Sequence, residues 1–126
     1  EVLRLYTEGG ILECGRRAGA AFEEALAALA DHPLVGDVRS RGLLGAVELV
    51  ADKVTKARFD GALKLGERIL AAGYARGLLF RAFPDDIIGF APPLCCTETE
   101  IAMIVERLRL TLDEVIADPE VRRIAA

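Results

Sequence analysis

Apolar residues recur at helical spacing in three long stretches of the chain. These stretches cover residues 11–30, residues 61–76 and residues 97–118. In each one, the apolar side chains fall on one stripe, which is typical of a helix packed against a core. The segment VLRLYTE near the start is also expected to be helical, and Gly9-Gly10 interrupts the join. The pattern therefore predicts three main helices and a short one at the start.

Residues at the ends of these helices fit known capping roles. Thr97 and Glu100 have the spacing of a capping box, in which each side chain accepts a hydrogen bond from the other residue's backbone N–H. Asp60 is placed to cap the second main helix, and Gly77 is placed to close it in a left-handed conformation. Pro33 disfavours helical geometry in the residue before it, so the first main helix is expected to end there.

Four shorter apolar runs predict strands. A short strand is expected from Val38, and a longer one is expected over residues 43–50. Alternation along the longer strand gives it one drier face, made of Leu43, Gly45, Val47 and Leu49. The other two strands are expected over residues 78–82 and 87–91, with a turn at residues 83–86 between them.

The predicted elements follow the order αββαββα. Strands joined by short turns, with helices between the pairs, indicate an α+β fold in which helices pack on a small, largely antiparallel sheet. The chain has 126 residues, of which 52% are apolar, and this size and composition suit a single domain covering residues 1–126.

Charge and hydropathy exclude several classes of function. The net charge is −4 and no basic stripe is present, so nucleic acid is not an expected partner. No apolar run approaches the roughly 20 residues of a membrane span, so a membrane role is not expected either. The three cysteines, Cys14, Cys95 and Cys96, are an odd number and include an adjacent pair, which argues against a disulfide framework. We read them as small core residues in a reducing, cytoplasmic protein.

A catalytic constellation is not visible within the chain. His32 is the single histidine, and without a nucleophile in a matching context it is expected to be a surface or capping residue. Asp85 and Asp86 form an acidic pair, but their place in a turn explains them without catalysis. The glycines match no phosphate-binding pattern, and the ligand types needed for a metal site are too few. We therefore predict no catalytic, cofactor-binding or metal-binding residue here.

Arg81 is the candidate binding residue. It ends an apolar strand beside the turn, opposite an arm that is almost wholly apolar. A guanidinium is planar and always charged, and it matches a carboxylate with two parallel hydrogen bonds. From the residues alone, two readings stay open: a carboxylate-binding group, or an ordinary exposed arginine at a strand end.

Two long stretches of the sequence resemble the C-terminal part of class III (omega-type) aminotransferases, which are pyridoxal-phosphate enzymes of fold type I. They read HPLVGDVRSRGLLGAVELVADKVTKARFD and GLLFRAFPDDIIGFAPPLCCTETEIAMIVERLRLTLDEV. The likeness follows the family's motifs in order and spacing over residues 32–115. Among its departures, Ser40 stands where the family usually has a glycine, and Cys95 and Cys96 replace apolar residues.

The resemblance implies that the whole enzyme transfers an amino group from an amine or amino acid to an oxo acid such as pyruvate, with pyridoxal phosphate as cofactor. In the amine:pyruvate branch, an arginine at the position of Arg81 pairs with the substrate carboxylate and swings aside for an amine that lacks one. In the branch of ornithine and aminobutyrate aminotransferases, the arginine lies instead at the position of Gly89. The resemblance therefore favours the amine:pyruvate branch and assigns carboxylate recognition to Arg81.

The resemblance also implies that part of the enzyme lies outside this chain. The family's Schiff-base lysine and its cofactor-binding residues belong to a preceding large domain. The three lysines present, Lys53, Lys56 and Lys64, fall in a polar loop or early in a helix and are expected at the surface. The chain is thus expected to be a C-terminal small domain, inactive alone, whose full-length form is a homodimer.

Two other functions remain open from the sequence. The chain contains no complete active site, which is also what a stand-alone α+β binding or regulatory module would show. A decarboxylase or an aminomutase of the same family would share this small domain.

Overall fold

The computed structural model describes residues 2–125, so Glu1 and Ala126 lie outside the described part. Within residues 2–125 there are five α-helices and four strands. The helices are α1 Val2–Thr7, α2 Ile11–Ala27, α3 Leu65–Ala75, α4 Glu98–Ala117 and α5 Pro119–Ile124. The strands are β1 Val35–Arg41, β2 Leu44–Leu49, β3 Arg81–Phe83 and β4 Ile87–Phe90. Elements α2 to α4 follow the order αββαββα, which confirms the predicted α+β fold.

The four strands form one antiparallel sheet in the order β1-β2-β4-β3. Each predicted strand pair is a hairpin, and the hairpins join where β2 pairs with β4. One row of residues across the sheet consists of Val38, Val47, Ile88 and Ala82, which we call the core row. Val47 and Ile88 are almost completely buried, so this face of the sheet is turned towards the helices.

Helix α2 lies very close to the sheet because β2 carries a glycine where the helix crosses it. A side chain at Gly45 would place its Cβ 2.6 Å from Leu26 Cδ2 and 2.7 Å from Phe22 Cε1. Phe22 and Leu26 are fully buried, and the Phe22 ring meets the Phe90 ring edge to face at 6.5 Å. Burial of each such side chain contributes about 1.5–3 kcal/mol, so this contact anchors the helix on the sheet.

Two of the predicted helix ends are confirmed. Thr97 Oγ1 accepts a hydrogen bond from the Glu100 N–H at 3.2 Å, and Glu100 Oε2 accepts one from the Thr97 N–H at 2.8 Å. These bonds form the capping box of α4. Gly77 has a φ of 68° and follows α3, and the Leu78 N–H donates to the Gly73 carbonyl at 2.9 Å. The left-handed glycine thus turns the chain from α3 towards β3.

Several predicted boundaries were wrong. Asp60 does accept a capping bond from the Ala62 N–H, but it starts only a short 3₁₀ turn. Lys64 then takes a left-handed φ of 51°, and α3 begins at the next residue. Strand β1 begins three residues before Val38, where Val35 pairs with Leu49 across an irregularity in the register. A bulge of this kind cannot be foreseen from alternation alone.

Strand β3 is also shorter than predicted, since it begins at Arg81 rather than at residue 78. Its partner β4 ends at Phe90, shortly before Pro92 and Pro93. In this register Leu78 would stand opposite Pro92, which has no N–H to donate, so the ladder cannot extend back to Leu78. Among residues 2–125, no helix combines the length and the apolar character that a membrane span requires.

His32 is a capping residue, as predicted, but it is buried rather than at the surface. Its side chain is 2% exposed, and its Nδ1 accepts a hydrogen bond from the Leu34 N–H at 3.1 Å. Its Nε2 lies 3.3 Å from Asp113 Oδ1 on α4. Burial lowers the pKa of His32, although the Asp113 carboxylate opposes that shift. His32 thus lies between the segment that leads into β1, to which it is hydrogen-bonded, and α4, whose Asp113 approaches its second ring nitrogen.

We expect Thr97→Ala to destabilise the protein by about 1 kcal/mol, because the first turn of α4 loses its capping bond. The free energy of unfolding in urea measures this effect. Thr99→Ala is the matched control, since Thr99 is exposed in the same turn and has no capping bond. Equal losses in both variants would show that the capping box contributes nothing of its own.

We expect the stability that His32 provides to depend on pH. Its pKa is lowered on folding, so the unfolded chain binds a proton first as the pH falls. The stabilisation is present above the unfolded pKa of about 6.5 and is lost as the pH falls from there through the lower folded pKa. Urea titrations at several pH values, compared with His32→Asn, measure the difference. A difference between the two proteins that stays constant with pH would contradict the expectation.

Candidate functional site

The face of the sheet opposite the helices carries a second row of aligned residues. The strand register places Arg39, Ala46, Gly89 and Arg81 in this row. Each member directly adjoins a member of the core row along its strand, and side chains alternate between the two faces of a sheet. The row therefore points away from the helices. Its two arginines stand on the edge strands, about 14 Å apart at three strand spacings, with two small residues between them.

A cleft of about 500 Å³ opens on this face. Three arginines line it, and the small residues Ala46 and Gly89 lie between them. The arginines are Arg39, Arg41 and Arg81. Among the described residues that line the cleft, none carries a carboxylate, although the whole chain has a net charge of −4. Positive charge beside apolar surface suits an anion with an apolar body.

Arg81 is one of the arginines that line the cleft. It is exposed, and its guanidinium carbon lies over the Phe83 ring at 5.9 Å from the centroid. Within residues 2–125, no carboxylate forms an ion pair with it. It is the first residue of β3, an edge strand that lines the cleft, whereas the sequence placed it at the end of a strand beside the turn.

The acidic residues nearest this face are held by other arginines. Glu48 Oε2 accepts a hydrogen bond from Arg39 Nη2 at 3.3 Å, and Glu48 Oε1 lies 3.9 Å from Arg58 Nη2. Arg58 Nη1 also lies 2.5 Å from Asp85 Oδ1, and this bond raises the pKa of Arg58. Glu48 and Asp85 thus already have partners, and Arg81 has no carboxylate partner among the described residues.

The turn before β4 is confirmed at three of its four predicted residues, since Phe83 belongs to β3 instead. It is a 3₁₀ turn over Pro84–Asp86, in which Asp85 has a φ of 67° and Asp86 a φ of 57°. Partial burial raises the pKa of Asp86, and the Asp85 carboxylate beside it adds to the shift. Through its contact with Arg58, the Asp85 carboxylate connects the turn to the segment after β2.

Gly89 is the position at which the resemblance places the arginine of the other branch. The structure shows that the Phe83 ring occupies the space beside it. A Cβ at Gly89 would lie 2.7 Å from Phe83 Cε2, which is closer than side-chain carbons approach. A larger residue therefore requires the ring to move, and the ring is in contact with Arg81.

The described residues do not form a pyridoxal phosphate site on their own. Lys53 Nζ donates to the Ala30 carbonyl at 2.6 Å, and Lys56 Nζ donates to the Gly36 carbonyl at 2.7 Å. Lys64 Nζ lies 3.4 Å from Glu67 Oε1 on the surface of α3. None of the three lysines lines the cleft, so this chain provides no amine there for a Schiff base.

The cysteines are free, but only one of them is a core residue as predicted. Cys96 is buried, and burial raises the pKa of its thiol. Cys14 is half-buried on α2, where its Sγ lies 3.5 Å from the Cys96 carbonyl oxygen. Cys95 is exposed, so the interpretation as a core residue was wrong there. Among residues 2–125, no cluster of three potential metal ligands occurs.

Sequence reasoning identified Arg81 but missed three residues that share its cleft. Arg39 and Arg41 come from β1, which is far away in the sequence, and they reach the cleft only because β2 pairs with β4. Phe83 was read as part of a turn, and it is the last residue of β3. Alternation from Arg81 to Phe83 was the one available signal that both residues face the same side.

Comparison with known proteins gives a consistent result. The sequence profile of the family described as "Aminotransferase class-III" matches residues 1–112. An uncharacterized aminotransferase of Sinorhizobium fredii is 44% identical over 115 residues, and the match covers 87% of this chain and 24% of the relative. A diaminobutyrate–2-oxoglutarate transaminase of Halomonas elongata is 39% identical, covering 90% of this chain and 24% of the relative.

Solved structures agree with the sequence matches. The omega-transferase from Vibrio fluvialis JS17 has a TM-score of 0.86 at 34% identity, and the match covers 96% of this chain and 28% of that one. The PMP-bound form of an aminotransferase from Vibrio fluvialis has a TM-score of 0.85 at 33% identity, covering 92% and 25% respectively. The chain spans about a quarter of the length of the curated relatives it matches. With its αββαββα order and its profile match over most of its length, the chain belongs to the class III aminotransferase family.

Proposed function

We propose that this chain is the C-terminal small domain of a larger pyridoxal-phosphate-dependent transaminase, in which Arg81 binds the carboxylate of the oxo-acid substrate. The observation that carries the proposal is the exposed guanidinium of Arg81, which has no carboxylate partner among residues 2–125 and lies in a cleft whose described lining has no carboxylate. A carboxylate on a substrate would supply the charge that the described chain does not provide.

The electrostatic surroundings support this role. Arg39 and Arg58 bind Glu48 and Asp85, so an incoming carboxylate does not compete with an internal one for Arg81. The guanidinium fork can donate two parallel hydrogen bonds to one carboxylate. Such a charge-assisted bond contributes about 1.5–3 kcal/mol, and Arg81 is exposed in this chain, so the lower end of that range applies.

In the proposed reaction, an amino group passes from an amine or amino acid to an oxo acid such as pyruvate. Pyridoxal phosphate, when bound by the rest of the enzyme, supplies the electron sink for this chemistry. The contribution of this chain is to orient the acid. Arg81 selects substrates that carry a carboxylate, and the apolar floor of the cleft accepts the part of the substrate that carries none.

The proposal includes a large domain of the same protein and a homodimer of the full-length form. The coverage of only about a quarter of the relatives' length supports the first of these partners. Exposed apolar side chains on α1, including Val2 at 65% and Leu3 at 79%, suit contact with further protein. We place the enzyme in the cytoplasm, because its three cysteines are free.

We expect Arg81→Ala, made in the full-length protein, to raise the KM for pyruvate about tenfold. The KM for an amine without a carboxylate, such as benzylamine, should change little because Arg81 has no charge to match in it. Steady-state kinetics with each substrate varied in turn provide the measurement. Arg81→Lys keeps the positive charge but loses the guanidinium fork. Its KM for pyruvate should therefore lie between that of the unaltered enzyme and that of Arg81→Ala.

Arg122→Ala is the matched control, because Arg122 is an exposed arginine on α5 that does not line the cleft. Its kinetics should equal those of the unaltered enzyme. Equal rises in KM for pyruvate and benzylamine in Arg81→Ala would contradict carboxylate binding by Arg81. An absence of any transamination by the full-length protein would contradict the proposed reaction itself.

A further inference from the structure

We propose that Phe83 is a positioning residue for Arg81, whose ring holds the guanidinium over the cleft in readiness for a carboxylate. The inference rests on the proposed function of Arg81 and adds the group that controls where its charge lies. Phe83 is 46% exposed and lines the cleft beside Arg81.

The sheet itself brings the ring under the guanidinium. Arg81 and Phe83 are two residues apart on β3, so their side chains leave the same face of the strand. Gly89 pairs directly with Arg81 and has no side chain, which opens the space between Arg81 and the next strand. The Phe83 ring leans into this space, with Cε2 at 2.7 Å from where a Cβ of Gly89 would be.

An aromatic ring suits this task better than an acidic residue. The negative face of a ring attracts a cation, and the 5.9 Å from Arg81 Cζ to the Phe83 centroid is within the range of that attraction. A ring does not neutralise the charge, as a carboxylate would. Arg81 is therefore held in place and still carries its full charge and its N–H donors for a substrate.

The effect expected of Phe83 is preorganisation. An arginine side chain has many rotamers, and binding a carboxylate restricts it to a few of them. A contact that confines the guanidinium beforehand reduces the conformational entropy that the side chain loses when the substrate binds. The ring should thus favour acids that bind Arg81 and should leave acceptors without a carboxylate unaffected.

The test uses the full-length protein with two acceptors, pyruvate and an aldehyde that has no carboxylate, such as butanal. Phe83→Leu keeps an apolar side chain but removes the ring. We expect it to raise the KM for pyruvate about two- to fivefold, the range of an exposed cation–π contact, with kcat and the KM for butanal unchanged. Phe83→Tyr keeps the ring and should restore the original KM for pyruvate.

Two further variants separate positioning from general damage. Tyr74→Leu removes an aromatic residue that is 72% exposed on α3 and does not line the cleft, and its KM values should not change. In an Arg81→Ala background, Phe83→Leu should have no further effect, because the group it positions is gone. KM is independent of the fraction of active enzyme, so partial misfolding of a variant does not imitate the expected result.

Different failures point to different proposals. If Arg81→Ala raises the KM for pyruvate and Phe83→Leu does not, the positioning role of Phe83 is overturned while the role of Arg81 stands. If Phe83→Leu raises the KM for pyruvate and butanal equally, or remains effective without Arg81, the ring has a structural role only. If Arg81→Ala itself has no selective effect, the proposed function fails first.

Discussion

The antiparallel pairing of β2 with β4 is the contact on which the site depends. Each hairpin alone carries one half of the cleft, with Arg39 on the first and Arg81 on the second. Their residues become neighbours only when Ala46 aligns with Gly89 across the junction. A shift of one residue in this register would turn Arg81 towards the helices and bury its charge. The same pairing closes the core row beneath, so core packing and the site are set by one register.

The arrangement of charge on this face explains how an acidic protein presents a free cation. Arg39 and Arg58 engage Glu48 and Asp85, and these pairs connect β1, β2 and the turn before β4. Exposed ion pairs contribute little to stability. Their consequence here is positional, because they remove the nearby carboxylates from competition for Arg81. The ring of Phe83 then contacts Arg81 without cancelling its charge.

Gly89 connects the fold to the shape of the cleft. A glycine in a strand has no side chain to pack, and its flexible backbone loses more entropy on folding than that of other residues. Both effects weaken the strand locally. At this position the absence of a side chain leaves room for the Phe83 ring and makes the cleft deeper. A larger residue at position 89 would collide with the Phe83 ring where the ring now lies. This chain has both the glycine at position 89 and the ring of Phe83.

The sequence by itself determined the three main helices, the turn before β4 and the capping box at Thr97, because these depend on residues within a few positions of each other. It singled out Arg81 but placed it at the end of a strand, whereas it is the first residue of β3. It did not determine where β1 and β3 begin, since a bulge and the reach of a partner strand decide those boundaries. It placed His32 at a cap, but only the approach of α4 buries it. The row that joins Arg39 to Arg81, and the contact of Phe83 with Gly89, were decided by tertiary structure alone, because they require two hairpins to meet in one register.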